Sequence, residues 1–263
     1  MKRFACRTAA IVCLLLLGLP PAAALDTVRD IVACANGNIP QKTFSQMLGI
    51  SAFDRIGVER RLVARMYGQR TEDDFLNLMV AVQQPEDLAG ARYLVRGRDG
   101  EDEMHMYLPA LNTVRRIKGE ATASKLWGTD FSYEDILQVF GTFAEGKITR
   151  LDDSTVNGRK AYQLQVEPYA ASGSPYERIV TSVDSLTCLT SQVEFTAIGG
   201  KLRKRLTMNP AVISKEDGRF VGHEYTMEDL RDQTRTTLFL GDVIYDQSTP
   251  RGVFSPQGFR YVD

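Results

Sequence analysis

Histidine and tryptophan are scarce in this 263-residue chain, which carries 2 and 1 of them, and cysteine is limited to 4. With so few imidazoles there is no paired-histidine motif, and Cys-x-x-Cys, Gly-x-Ser-x-Gly and a glycine-rich phosphate loop are also missing. Carboxylates gather at Asp130, Glu134 and Asp135 and again at Asp152 and Asp153. Helix capping and the helix dipole account for the first group, and a β turn for the second. The sequence places no two carboxyls across a cleft, as a glycosidase needs. The reading is of a protein that is not an enzyme, with no catalytic residues, metal or cofactor. Met104-His105-Met106 has the softness of a copper site, but strand alternation explains it more simply, with Met104, Met106 and Leu108 inward and His105 outward.

Charge of one sign is lacking too. Lys and Arg number 32 against 33 for Asp and Glu, and no basic tract stands out, which argues against nucleic acid as a partner. The basic runs Arg60-Arg61, Arg115-Arg116 and residues 201–205 read as a solvated face. Only residues 8–19 form a long apolar run. It is too short for a membrane span, which needs about 20 residues. Lys2, Arg3 and Arg7 precede it, Pro20 and Pro21 break it, and Ala22-Ala23-Ala24 offers a signal-peptidase site. Residues 1–24 therefore read as a cleaved secretory signal, with residues 25–263 exported to the periplasm as one soluble domain. Loss of the three basic residues would move the net charge from −1 to −4.

Cys34 and Cys188 outlast the signal. In an oxidising compartment they read as one disulfide, with two buried thiols as the alternative. The 154-residue loop would be worth about 5 kcal/mol on the chain-entropy model.

What is abundant is short strand pattern. Residues 26–36 carry Val28, Ile31, Val32 and Ala35 on a helical stripe. Thereafter 47–50, 58–67, 75–82, 93–96, 103–108 and 113–117 read as strands separated by turn formers. Alternation is cleaner in 160–167, 189–197 and 202–208, and further strands run near 219–227 and 234–240. That makes about eleven strands in a mainly β (α+β) chain, an antiparallel meander that twist must curl into a barrel or partial barrel. Residues 119–131 interrupt it. They set Leu126, Trp127 and Phe131 just before a short helix at 133–140, whose start is marked by the capping-box pair Ser132 and Asp135. A loop of this length is usually functional, and it is expected to fold over the open side of the barrel. Met47, Met66, Met79, Met104, Met106, Met208 and Met227 suit a surface that accepts disordered acyl chains.

The run Leu108-Pro109-Ala110-Leu111-Asn112-Thr113-Val114-Arg115-Arg116-Ile117, with Gly128-Thr129-Asp130-Phe131-Ser132-Tyr133-Glu134-Asp135 after it, resembles the outer-membrane lipoprotein-sorting family, related to the Lol-type periplasmic lipoprotein carriers. The closing Phe254-Ser255-Pro256-Gln257-Gly258-Phe259 is similar to the Phe-x-Pro-x-Gly ending of those carriers. The resemblance implies a curved, incomplete antiparallel barrel with short helices closing its concave side and acyl chains bound between. It also implies a lipid or acylated lipoprotein as cargo, and for some members a resistance-nodulation-division-type lipid exporter as partner. The expected function is a monomeric periplasmic carrier moving acyl chains toward the outer membrane, with Leu126, Trp127, Phe131, Met104, Met106 and Leu108 on the lipid. The alternative is an adaptor of a lipid exporter that carries nothing.

Overall fold

The computed structural model describes residues 25–98, 102–136 and 146–262. The expected signal segment, and the expected helix beyond Ile136, lie outside the described residues. A helix, α1 (Val28–Gly37), comes first; its N-cap Thr27 accepts the Asp30 N–H, and Asn38 ends it. The first run of strands is β1 (Thr43–Phe53), β2 (Glu59–Arg70), β3 (Leu76–Gln84), β4 (Arg92–Arg96), β5 (Glu103–Leu108) and β6 (Thr113–Ile117). The second is β7 (Gly146–Val156), β8 (Arg159–Pro168), β9 (Tyr176–Asp184), β10 (Thr190–Ala197) and β11 (Leu202–Met208). It continues through β12 (Ile213–Glu216), β13 (Arg219–Gly222), β14 (Glu224–Asp229), β15 (Thr234–Leu240) and β16 (Ile244–Tyr245).

Fourteen of these form one antiparallel sheet in the order β6-β5-β4-β3-β2-β1-β15-β14-β11-β10-β9-β8-β7, with β16 added beside β1. The sheet is open. Strands β12 and β13 make a separate hairpin. This is the curved, incomplete antiparallel barrel expected, with more strands than the eleven read from sequence. The extra ones have physical reasons. β7 is an edge strand with almost no buried residue, so it shows no apolar alternation. β9 is buried on both faces over its last residues, which also erases the period of two. The turn expected at Asp152–Asp153 is instead a bulge inside β7, where the register against β8 shifts between Leu151 and Ser154. Residues 219–227 are two strands broken at His223.

One apolar cluster runs along a single face of the sheet, from Phe44, Leu62, Val80 and Tyr93 on one half to Ile179, Phe195, Leu206 and Met227 on the other. Residues from both halves meet because the sheet curls, so this is the concave face. α1 covers its β7–β9 end, packing Ile31 and Ala35 on Tyr162, Leu164 and Val183. The convex face is covered too, over β3 and β4, by the C-terminal segment: Val253, Phe259 and Val262 pack on Met79 and Leu94. Arg92 holds that segment by donating to the carbonyls of Arg260 and Val262. His105 does point to the face opposite Met104, as alternation requires, but it does not reach water. It is buried, with its ring 6.5 Å from that of Phe259. Met79 likewise joins the convex cluster, while Met66, Met104, Met208 and Met227 face the concave one.

Cys34 on α1 and Cys188, in the turn before β10, are bridged, with Cα atoms 5.5 Å apart. The bridge fastens α1 to the second half of the sheet. Intact-mass measurement should therefore find the chain heavier by two hydrogens after reduction. Cys34→Ser should lose about 2–5 kcal/mol in denaturant unfolding; two alkylatable thiols in the unreduced, denatured protein would contradict the bridge.

Candidate functional site: the plugged concave face

The strands β6 and β7 follow one another in sequence but occupy opposite edges of the sheet. The chain that leaves β6 lies, as far as Ile136, over the concave face. Its described part begins with a turn at Gly119–Ala123 and then folds into a tight loop, bridged between Lys125 and Ser132. Leu126 N–H donates to Phe131 O at 2.8 Å, and the Thr129 hydroxyl donates to Leu126 O at 2.7 Å. Trp127 and Gly128 take positive φ of 51° and 76° to close the tip. Glycine does this freely, whereas tryptophan there is a strained placement held by its surroundings. The result pushes Leu126, Trp127, Phe131, Tyr133 and Ile136 into the concave cluster, all buried.

Two aspartates fasten this plug. Asp130 is buried and accepts hydroxyl hydrogen bonds from Thr234 and, at 2.8 Å, Thr236, and Lys125 lies 3.1 Å away. Lys125 also reaches Asp232 at 3.3 Å, and Arg203 pairs with Asp229 and Asp232. Asp135 forms the expected capping box, accepting the Ser132 N–H at 2.8 Å while its own N–H donates to Ser132 Oγ. It does more than cap. Its carboxylate meets the buried Lys204 ammonium at 2.6 Å and accepts the Tyr176 hydroxyl at 2.8 Å. Burial in this cluster pushes the Tyr176 hydroxyl far above its ordinary range. Glu134, half-buried next door, accepts the Ser174 hydroxyl at 2.7 Å, and burial pushes its carboxyl up to about 7.

The six expected lipid contacts thus end on one face. Met104 lies in the concave cluster with Leu126, Trp127 and Phe131, while Met106 and Leu108 pack at its margin, Met106 beneath the Tyr133 hydroxyl. Lys204 corrects the reading of residues 201–205 as solvated: it shares the inward face with Leu206 and Met208 and is 4% exposed. Sequence reasoning also missed an apolar cleft on the same concave face. About 80 Å³ of space lies between the end of α1 and the β12–β13 hairpin, walled by Ile39, Phe44, Leu189, Phe220, Tyr225 and Leu240. A second void of about 10 Å³ sits under Ile136.

An open antiparallel half-barrel with one apolar face plugged by its own chain defines the lipoprotein-carrier-like fold class. The family model that matches, over residues 76–260, carries the description "-like: Uncharacterized protein", and the chain belongs to that family. Solved structures show the same fold. A domain from Vibrio parahaemolyticus described as an outer membrane lipoprotein-sorting protein domain superposes with a TM-score of 0.78 at 21% identity, covering 88% of this chain and 97% of that one. A DUF1329 family protein from Desulfovibrio piger gives 0.77 at 23% identity, covering 86% and 95%. A LolA superfamily protein from Nitrosomonas europaea gives 0.66 at 17%, covering 88% and 98%. Among curated proteins no sequence matches. The fold is that of the Lol-type lipoprotein-sorting family, as the sequence resemblance implied.

Two outcomes follow from the fastening of the plug. Lys204→Ala leaves the Asp135 carboxylate buried without its cation, which should cost about 3–5 kcal/mol and raise acrylamide quenching of Trp127. Unchanged stability and quenching would show that the pair does not hold the plug. Glu134 titrates higher in the folded chain than its ordinary value of 4.5. The folded state therefore binds the proton more tightly, and the contribution to stability is fully present below pH 4.5 and lost as pH rises through about 7. Glu134→Gln should remove that loss, gaining on the order of 3 kcal/mol over the native chain in alkaline buffer and little in acid. A constant difference across the pH range would refute it.

Proposed function

We propose that this protein is a periplasmic carrier that holds acyl chains of a lipid or lipoprotein out of water on its way toward the outer membrane. The observation that carries this reading is the nature of the cover on the concave face. The face is lined by apolar side chains from both halves of the sheet, and at its centre it is closed by one chain segment, not by a second sheet. Leu126, Trp127, Phe131, Tyr133 and Ile136 occupy the place an acyl chain would take, so cargo enters by displacing them. A drug-sized ligand needs a pocket of about 300–1,000 Å³, and the cleft beside α1 on the concave face holds about 80 Å³. Burial of a 16-carbon chain supplies on the order of 10 kcal/mol at about 0.8 kcal/mol per methylene, the same order as the plug's buried apolar side chains, which contribute about 1.5–3 kcal/mol each. The Trp127 indole N–H is buried with no acceptor, a cost of about 1–3 kcal/mol in the plugged form. Release of that group favours opening. The fold neighbours described as lipoprotein-sorting and LolA superfamily proteins support the same reading, and a monomer working beside a resistance-nodulation-division-type exporter fits it.

The plug packed on the concave face favours one other reading: an adaptor that docks on such an exporter through its curved sheet and carries nothing. Titration separates the two. Trp127 is the only indole in the chain. Adding palmitate to delipidated protein should change its emission and its acrylamide quenching, and native mass spectrometry should show one lipid bound. Absence of bound lipid in both measurements would leave the adaptor. Bound lipid with unchanged Trp127 emission would move the cargo from the plug to the α1 cleft.

A further inference from the structure

The β12–β13 hairpin folds Ser214 and Glu216 against His223, and Asp242 comes alongside from the segment between β15 and β16. His223 Nδ1 lies 2.7 Å from the Leu240 carbonyl, so Nδ1 carries a proton and donates it there. In the neutral ring Nε2 is then a bare lone pair. It faces Ser214 Oγ at 2.7 Å and Glu216 Oε1 at 3.3 Å. Ser214 Oγ is also 2.6 Å from a Glu216 carboxylate oxygen. The serine thus has one proton for two acceptors. The other Glu216 oxygen accepts the Val243 N–H at 3.0 Å, which fixes the carboxylate's direction. Donor atoms of Glu216, His223 and Asp242 all lie within 4.8 Å of one another. Among the described residues no lysine or arginine pairs with Glu216 or Asp242. With the ring neutral, the cluster carries two negative charges and no positive one.

We propose that Glu216, His223 and Asp242 form a binding site for a divalent transition cation of the zinc type, with Ser214 Oγ or a water completing four-coordination. One imidazole nitrogen with two carboxylates is a donor set for zinc, whereas calcium and magnesium take oxygen alone. The Nδ1–H to carbonyl contact is the orienting bond that metal-binding histidines characteristically make through their second nitrogen. Two of the three donors are held from outside the cluster: the ring by Leu240, Glu216 by Val243. The cation would join the hairpin to the segment after β15. Phe220 and Val221 of the hairpin, and Leu240 and Val243 beside it, are walls of the apolar cleft, so the site would set the width of that cleft at its rim. It stands whether or not the cleft receives lipid. The competing occupant is a proton, which would turn His223 into an imidazolium donating to Glu216.

Tag-free protein stripped with chelator and titrated with Zn²⁺ against a chromogenic indicator, in slightly alkaline buffer, should take up one equivalent. Its melting temperature should rise with Zn²⁺ and not with Mg²⁺. His223→Gln and Asp242→Asn should each weaken binding tenfold or more. Asp242 is exposed, so Asp242→Asn keeps the fold and decides the matter if His223→Gln does not fold, with circular dichroism as the check. No uptake by the native chain would overturn the proposal in favour of the proton. Uptake equal to the native chain's in Asp242→Asn would overturn it by placing the ion elsewhere.

Discussion

The sheet's connectivity is the constraint on which the rest depends. Because β6 and β7 form opposite edges while being neighbours in sequence, the chain leaving β6 has to travel away from its edge, and its described part lies on the concave side. That side is lined mainly by apolar side chains, and exposing them to water would cost about 25 cal/mol per Å². The crossing segment is therefore drawn down onto the sheet, and α1 and the β12–β13 hairpin cover what it leaves. A fully closed barrel would have needed none of these covers and would have had no place for them.

The cover is held differently from the core beneath it. Strand pairs are locked by continuous ladders, but the plug is fixed at separate polar points, chief among them Asp130 and Asp135, with aromatic and aliphatic side chains between. Both points are buried, so each carboxylate depends on its partners: hydroxyls of β15 in one case, the Lys204 ammonium and Tyr176 hydroxyl in the other. Buried ion pairs contribute little net stability but are costly to leave half-made. Such a fastening specifies one closed position without making closure much deeper, and that is what a cover displaced by cargo requires. The raised Glu134 carboxyl beside Asp135 belongs to the same economy of burial.

Opposite faces of the sheet are used for opposite purposes. On the convex side the C-terminal segment, with Phe259 fully buried, seals β3 and β4 through apolar contact and the Arg92 guanidinium. On the concave side, covers meet without filling every gap, and the apolar cleft remains beside the disulfide-tied end of α1.

Much of this was determined by the sequence itself. Period-two alternation gave most strands and put Met104, Leu206 and Met208 on one face, and even the inward place of Lys204 follows from its parity with Leu206. A charged residue at such a position reads as a solvated one until a partner is visible, and its partner Asp135 is 69 residues away. Alternation fails where burial is two-sided, as in the last residues of β9, or absent, as along β7. The spacing of Ser132 and Asp135 marked a local cap, because capping is decided within one turn. Only the tertiary structure decided that the same carboxylate also fastens the plug, that His105 is sealed under Phe259, and that Glu216, His223 and Asp242 converge. Those contacts join segments far apart in sequence, and neither propensity nor period carries information across such distances.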